Sequence, residues 1–423
     1  MTSVRGLLCP SSTIVISTLL GVALVAGTAL ADPATTEGRS LGSVVELAMR
    51  ANPDVRRARV EVEAAELARR GASAPTSNPA ISVEAGPRFG GSGPQADVAV
   101  TLEIPIDLGG APGRRRVVAS ADLDAARAQL AWVELEVATT ARVRFAALVA
   151  ADGRVALAEE AVSLAEEMER VARRRHELGE VSVLEPNFAA LERTDAQAAV
   201  LTARRERTAA DRALRQLLAL PTEEPLLLLA ATAPSWPESL APSVTDLVAR
   251  AEQRADLLAA RDSRRAADAR LDLARADGVP GLSASAGWGR EGDDANVVLG
   301  GVRFELPLQR NQLGIAEAHR AVGVAAVDAD AVALRVVLDV AAALDSWEAA
   351  AEQHALATSQ ALPLAEQNLA LVLRAYEAGK EGLLGVLLLQ RQALAARRSA
   401  IDAEFELHRA AAALERAVGQ EVF

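Results

Sequence analysis

Most of the chain is written twice. Asn52-Pro53-Asp54-Val55 lines up with Arg254-Ala255-Asp256-Leu257 at an offset of 202 residues, and Glu103-Ile104-Pro105-Ile106 with Glu305-Leu306-Pro307-Leu308 at the same offset. His176-Glu177-Leu178-Gly179 then matches Tyr376-Glu377-Ala378-Gly379 at an offset of 200. Three anchors in one order, almost evenly displaced, mark a duplicated structural unit. Residues 32–220 hold the first copy and 243–423 the second. A connection over 221–242, with Pro221, Pro225, Pro234, Pro237 and Pro242, joins them.

Each copy predicts the same succession. A helix over about 41–70 meets a Gly, Pro and Ser zone, Gly71 to Pro79, that breaks it. Two alternating stretches follow, Ile81 to Ala85 and Val98 to Ile104, with a Gly-rich turn between them, which reads as a β-hairpin. The second copy offers Leu282 to Trp288 and Val297 to Phe304, making four strands. Pro105 and Pro307 are expected to end the hairpins, because proline cannot donate to a ladder.

Beyond those prolines, the chain after Gly113 and up to Leu178 contains no proline and one glycine, Gly153; the equivalent stretch, Gly314 to Ala378, contains one proline, Pro363, and little glycine. Apolar residues recur at sevens: Leu148, Val155, Val162; Leu157, Leu164, Val171; Leu362, Leu369, Tyr376. That spacing predicts coiled-coil packing, with alanines allowing close approach. A helix of about 66 residues rises roughly 100 Å, and two shorter helices, 41–70 and 182–218, match it end to end. Turns at Gly179 to Ser182 and Gly379 to Gly382 fold the chain back. The fold class is therefore mainly α with a small β part: a duplicated long-helix coiled-coil unit carrying two β-hairpins.

Four strands cannot close on themselves, and an open sheet leaves unpaired edges. Strands crossing a membrane must belong to a closed barrel, which takes about eight strands or more, so several copies would have to contribute. A soluble β cap on a helical rod fits the alternation equally well. Aromatic residues that could form membrane-interface girdles are few: Phe89, Trp288 and Phe304.

Residues 1–31 carry one charge, Arg5, then an uncharged apolar stretch from Thr13 ending Ala29-Leu30-Ala31 before Asp32. This predicts a cleaved signal peptide, the small-x-small ending opposing an uncleaved anchor. The single cysteine, Cys9, lies in that segment, so disulfides and thiolate chemistry are not expected of the exported chain. Hydrophobic residues make up 50% of the chain but aromatics only 3%, and the net charge is -12, which argues against a nucleic-acid partner. His176, His319, His354 and His408 show no metal-ligand spacing, and neither a phosphate loop nor a nucleophile elbow occurs. No catalysis, cofactor or resident metal is expected. Basic clusters such as Arg173 to Arg175, and Arg204, Arg205 and Arg207, are read as solvated faces.

The chain resembles the TolC-like outer-membrane factor family of efflux and secretion channels over essentially its whole mature length. The resemblance is carried by the duplication, by Asn52-Pro53, and by Ile104-Pro105-Ile106-Asp107-Leu108-Gly109-Gly110. Arg175-His176-Glu177-Leu178-Gly179-Glu180-Val181-Ser182 and Tyr376-Glu377-Ala378-Gly379 complete it. Within the family it looks more like the heavy-metal and cation efflux members. The resemblance implies a homotrimer whose strands form a transmembrane β-barrel in outer-membrane lipid and whose helices form an α-barrel through the periplasm. It also implies a periplasmic adaptor and, through it, an inner-membrane pump. By the same resemblance the adaptor-docking tips are Gly179, Glu180, Val181 and Ser182, and Gly379, Lys380, Glu381, Gly382 and Leu383. Glycine at a helix C-terminus is also an ordinary helix-breaking signal. The positions matching the family's acidic constriction are Gly385 and Leu388, neither acidic. A Leu388 ring with acidity from Glu381 or Glu185 is the expected constriction, though both carboxylates also suit a solvated helix start. The alternative is a periplasmic adaptor or a soluble coiled-coil scaffold. An adaptor would carry one helical hairpin flanked by β-rich modules, and a scaffold would need no hairpins at matched positions.

Overall fold

A computed structural model of the chain describes residues 39–74, 78–88, 95–221, 243–291, 295–304, 310–420 and 422. The expected signal peptide with Cys9, nearly all of the Pro-rich connection, Phe89 and Pro307 lie outside the described residues. The first copy runs α1 (Leu41–Ala51), α2 (Pro53–Gly71), β1 (Ala80–Arg88), β2 (Gln95–Ile106), α3 (Ala111–Glu177) and α4 (Leu184–Leu217). The second runs α5 (Val244–Ala251), α6 (Ala255–Ala276), β3 (Leu282–Glu291), β4 (Ala295–Phe304), α7 (Gln312–Leu356), a π-helical turn (Ala357–Ala361), α8 (Leu362–Glu377) and α9 (Leu383–Val418).

The helix expected over 41–70 is two helices. Pro53 has no N–H and biases the residue before it away from the helical region, and Asn52 is extended (φ -60°, ψ 129°). Its Oδ1 accepts the Asp54 N–H at 2.8 Å, so the break is capped. Asn52 Nδ2 also donates to the Leu217 carbonyl at 3.2 Å, tying α2 to the end of α4. In the second copy Arg254 takes this place. Its side chain is 1% exposed and donates to Asp256 (2.7 and 2.8 Å), Asp339 (3.1 Å) and the Ala417 carbonyl at the end of α9 (3.2 Å). The guanidinium also stacks over Trp132 at 5.2 Å.

The long helix α3 has 67 residues and rises about 100 Å. Its counterpart is not continuous: α7 and α8 are joined through the π turn just before Pro363. Proline removes an N–H and crowds the carbonyl four residues back, and widening the preceding turn relieves that conflict. Thr358 Oγ1 donates to the His354 carbonyl at 2.7 Å, and Ser359 Oγ to the Ala355 carbonyl, so carbonyls loosened there keep partners.

All four strands form one antiparallel sheet in the order β1-β2-β3-β4. β2 does not stop before Pro105 but continues to Ile106, with Pro105 opposite Ser283. β1 ends opposite Glu103, so at Pro105 the strand has one neighbour and a missing N–H is tolerated.

Below the sheet the helices lie side by side in the order α2-α3-α6-α7, and farther down as α4-α3-α9-α8. Three buried clusters hold them. Val44, Val55, Phe145, Leu148 and Leu214 serve the first copy; Leu247, Leu257, Val340, Trp347 and Leu414 serve the second. A third cluster, including Met168, Ala189, Tyr376 and Val386, joins both copies near the turns. Each fully buried leucine or valine contributes about 1.5–3 kcal/mol. Two of the basic residues read as solvated, Arg204 and Arg207, are exposed and also pair across helices, with Glu159 at 2.7 Å and Asp152 at 2.5 Å. Among the described residues no helix is long and apolar enough to cross a membrane.

Candidate functional site: a two-faced sheet and two helical tips

The sheet register decides which side chains share a face, since directly opposed residues of antiparallel strands project the same way. Val83 faces Val100, which faces Trp288, which faces Val298; Ile81 faces Leu102, then Ala286 and Gly300. Ile104, Ala284 and Val302 form the next row, and Ile106, Leu282 and Phe304 the last. Over these four rows the face is apolar, and most of its large residues are exposed, from Val100 at 37% to Val298 at 80%; the next row, Ala85, Val98, Arg290 and Asn296, brings polar side chains in at the hairpin end. The opposite face carries Ser82, Glu84, Thr101, Glu103, Ser283, Ser285 and Arg303, with Val297 and Leu299 among them. There Ser283 Oγ and Arg303 Nη1 both donate to Glu103 Oε1, at 2.6 and 2.9 Å. The strands are 9, 12, 10 and 10 residues long, the length of a tilted strand that spans a bilayer.

The two tips are built alike. At the end of α3, Gly179 is left-handed (φ 76°), its N–H donates to the His176 carbonyl at 2.9 Å, and the Glu180 N–H reaches back to Arg175 at 3.0 Å. At the end of α8, Gly379 is left-handed (φ 71°), its N–H donates to Tyr376 at 3.0 Å, and the Lys380 N–H to Ala375 at 2.9 Å. This double bond around a left-handed glycine closes a helix end and turns the chain sharply, which an L side chain at either position would strain.

Their side chains differ. The first tip is laced with charge: Arg175 lies 3.3 Å from Glu180 and 4.0 Å from Glu185, and its guanidinium sits 5.1 Å from the Tyr376 ring centre, joining the two tips. His176 Nδ1 lies 3.0 Å from the Val181 carbonyl. At the second tip Lys380 and Glu381 are exposed. Lys380 is also the only lysine of the chain.

Of the expected constriction residues, Glu185 and Gly385 fall in the first turns of α4 and α9, Glu381 just before α9 and Leu388 in its second turn. A Cβ added to Gly385 would lie 3.4 Å from Glu381 Oε2, so the Glu381 carboxylate covers the position where an acidic side chain is missing. Leu388 is 58% exposed, in line with exposed Leu384 one turn earlier, whereas Leu383 is buried. Glu185 is drawn toward Arg175, with one carboxylate oxygen buried.

Sequence reasoning did not anticipate Glu169. It is buried on α3 between Arg173, one turn along the same helix, and Arg193, whose bond to its other oxygen ties α3 to α4. Burial alone would raise the pKa of this carboxyl, yet the two guanidinium partners hold it below the usual value. Nor did it anticipate the apolar stripe of Leu184, Phe188 and Leu191 exposed on α4; its i, i+4, i+7 spacing was the available signal. Among the described residues no group of three or more metal-ligating side chains comes together.

The family described as outer membrane efflux protein matches residues 44–220 and 248–420, one match per copy. No curated protein matches the sequence. Among solved structures, CusC superimposes with a TM-score of 0.76 at 19% identity, over 90% of this chain and 92% of that one. VceC from Vibrio cholerae gives 0.72 at 20% identity over 90% and 97%. CmeC from Campylobacter jejuni gives 0.73 at 17% identity over 98% and 94%.

Proposed function

Since this chain belongs to the outer membrane efflux protein family, we propose that three copies of it form a passive duct from the periplasm to the exterior. A periplasmic adaptor seated on the tips and an inner-membrane pump would deliver the cargo. The observation that carries the reading is the sheet: an exposed, register-continuous apolar face backed by a polar one. In water such a face costs about 25 cal/mol per Å², whereas in lipid it is the face a barrel must present. Four strands leave edges at β1 and β4, and only pairing with further copies removes them. An adaptor or a soluble scaffold gives no reason for this face.

The helical shaft supplies length and the tips a place to close it. Gly179 to Ser182 and Gly379 to Leu383 are the surfaces we assign to adaptor docking, with Glu180, Lys380 and Glu381 the exposed charges there. Of the two candidate acids, Glu381 is the better source of a cation-attracting ring, because Glu185 is partly neutralised by Arg175. Leu388 would supply the apolar ring beneath it. A metal or other cation as cargo agrees with such a ring, and export by a cleaved leader with the segment preceding Asp32. The test is conductance in planar bilayers: the purified protein should open cation-preferring channels, and Glu381→Gln should reduce that preference more than Glu185→Gln. Absence of any conductance would count against the duct, and equal cation and anion permeability in the wild type against the acidic ring.

A further inference from the structure

Where α6 gives way to α9 between α3 and α7, the helices part around a cavity of about 740 Å³. That volume lies within the roughly 300–1,000 Å³ of ordinary small-molecule sites. On α7 it is lined by Val332, Arg335, Asp339, Ala342 and Ser346, whose spacing of three and four residues makes one stripe. Val340, Leu344 and Trp347, which cluster with Leu247 and Ala251 of α5, lie roughly 130° around the same helix. On α3, Trp132 and Glu136 line the cavity, whereas Val137, Ala141 and Phe145 cluster with α1. The cavity therefore opens on the face of the helical row that α1 and α5 leave bare.

Its ionisable lining is balanced: Arg254, Arg335 and Arg416 against Glu136, Asp256 and Asp339. Such a lining has no net field to gather a simple cation or a simple anion. Much of the charge is also engaged internally. Arg254 takes both oxygens of Asp256, at 2.7 and 2.8 Å, and Arg416 lies 3.8 Å from Glu136. The free charge is on α7. Arg335 is exposed and has no ion pair or side-chain hydrogen bond with another described residue. One turn on, Asp339 gives one oxygen to Arg254 at 3.1 Å, and its side chain stays 45% exposed. Residues four apart on a helix have Cβ atoms about 5–6 Å from each other. One free guanidinium and one half-free carboxylate thus stand side by side. The half-buried indole of Trp132 and the methyl groups of Ala260 and Ala342 supply an apolar wall beside them.

We propose that this cavity binds a zwitterion of the α-amino-acid type with an apolar side chain. Such a molecule carries its carboxylate and ammonium on one carbon, so Arg335 and Asp339 can hold both ends at once while the side chain lies against Trp132 and the alanine methyls. In a closed ring of helices the outside is the roomier side. The second layer made by α1 and α5 then lies outside, and the cavity faces the bore. That placement rests on the trimeric-duct reading; the binding chemistry does not.

The test is calorimetric titration of the purified protein in detergent at neutral pH with three matched probes: naphthylalanine, naphthylethylamine and naphthylpropanoate, a zwitterion, a cation and an anion on one apolar body. Naphthylalanine should bind at least tenfold more tightly than either of the others. Arg335→Gln, at an exposed position without a partner, should keep the helix content by circular dichroism and erase that preference, and Arg335→Lys should restore part of it. Equal binding of the three probes, or equal binding of naphthylalanine by wild type and Arg335→Gln, would mean partition into detergent or an unselective groove and would overturn the site. In planar bilayers naphthylalanine should reduce the open-channel current of the wild type and not that of Arg335→Gln. A current indifferent to a probe that calorimetry shows to bind would overturn the bore-facing placement. Absence of any current, with the calorimetric preference intact, would overturn the duct and leave the site standing.

Discussion

The two copies solve the same geometric problem with different chemistry. The first crosses the shaft with one unbroken helix, α3; the second needs α7, a π turn and α8, because Pro363 stands in its path. At the upper joint the first copy uses Asn52, which reaches one carbonyl and caps one helix, while the second uses Arg254, which ties α6 to Asp339 and to the end of α9. After the returning helices the roles of strain reverse: Ala219 is forced left-handed (φ 51°) where the second copy has Gly419 (φ 88°). A duplicated plan thus fixes where a joint must be, and the residue present decides how strongly it holds.

The largest expected effect tests that last point. Arg254→Ala should destabilise the folded protein by about 3–5 kcal/mol, since it leaves buried acceptors behind, against about 1 kcal/mol for Asn52→Ala. Denaturant titration of detergent-solubilised protein measures both, and equal losses would remove the distinction. Burial works against the Arg254 charge, but Asp256 and Asp339 keep its pKa above the ordinary value, so the contrast should persist across neutral pH.

Next comes the buried clamp at Glu169 in the first copy. Glu169→Gln should cost about 1–3 kcal/mol at pH 7. Because the native pKa of Glu169 lies below 4.5, its contribution is complete above that pH and is lost as pH falls through the lowered native value. Variant and wild type should therefore converge in strongly acid buffer, and a gap independent of pH would refute the ionic clamp.

The interrupted shaft should open more readily than the continuous one. Amides of Ala357–Ala361 should exchange hydrogen about tenfold faster than those at matching depth in α3, a difference of about 1.4 kcal/mol. Equal protection would mean that the π turn is no weaker than α3. The smallest effect is expected at the strained residue: Ala219→Gly should stabilise by about 0.5–1 kcal/mol, read as a rise in unfolding midpoint.

Features that rest on local signals were legible in the sequence. Alternation marked the four strands, and Gly179 and Gly379 marked the tips, because a left-handed turn selects for glycine within a few residues. Pro53 was an equally local signal against one helix over 41–70, and Asn52 beside it had the composition of a cap. What alternation within a strand could not give was register. The apolar face depends on Val100 meeting Trp288 across two different copies, so counting aromatics understated it. Arg254 reads as an exposed charge until α7 brings Asp339 to it from 85 residues away. Glu169 likewise depends on Arg193, contributed by the returning helix.

The central claim is that this chain is one part of a closed, membrane-seated tube. Electron microscopy of the detergent-extracted protein tests it most directly. The account predicts a hollow three-fold particle with a shaft of about 100 Å, set by the rise of α3. Single thin rods, or particles that stay dispersed without detergent, would contradict it.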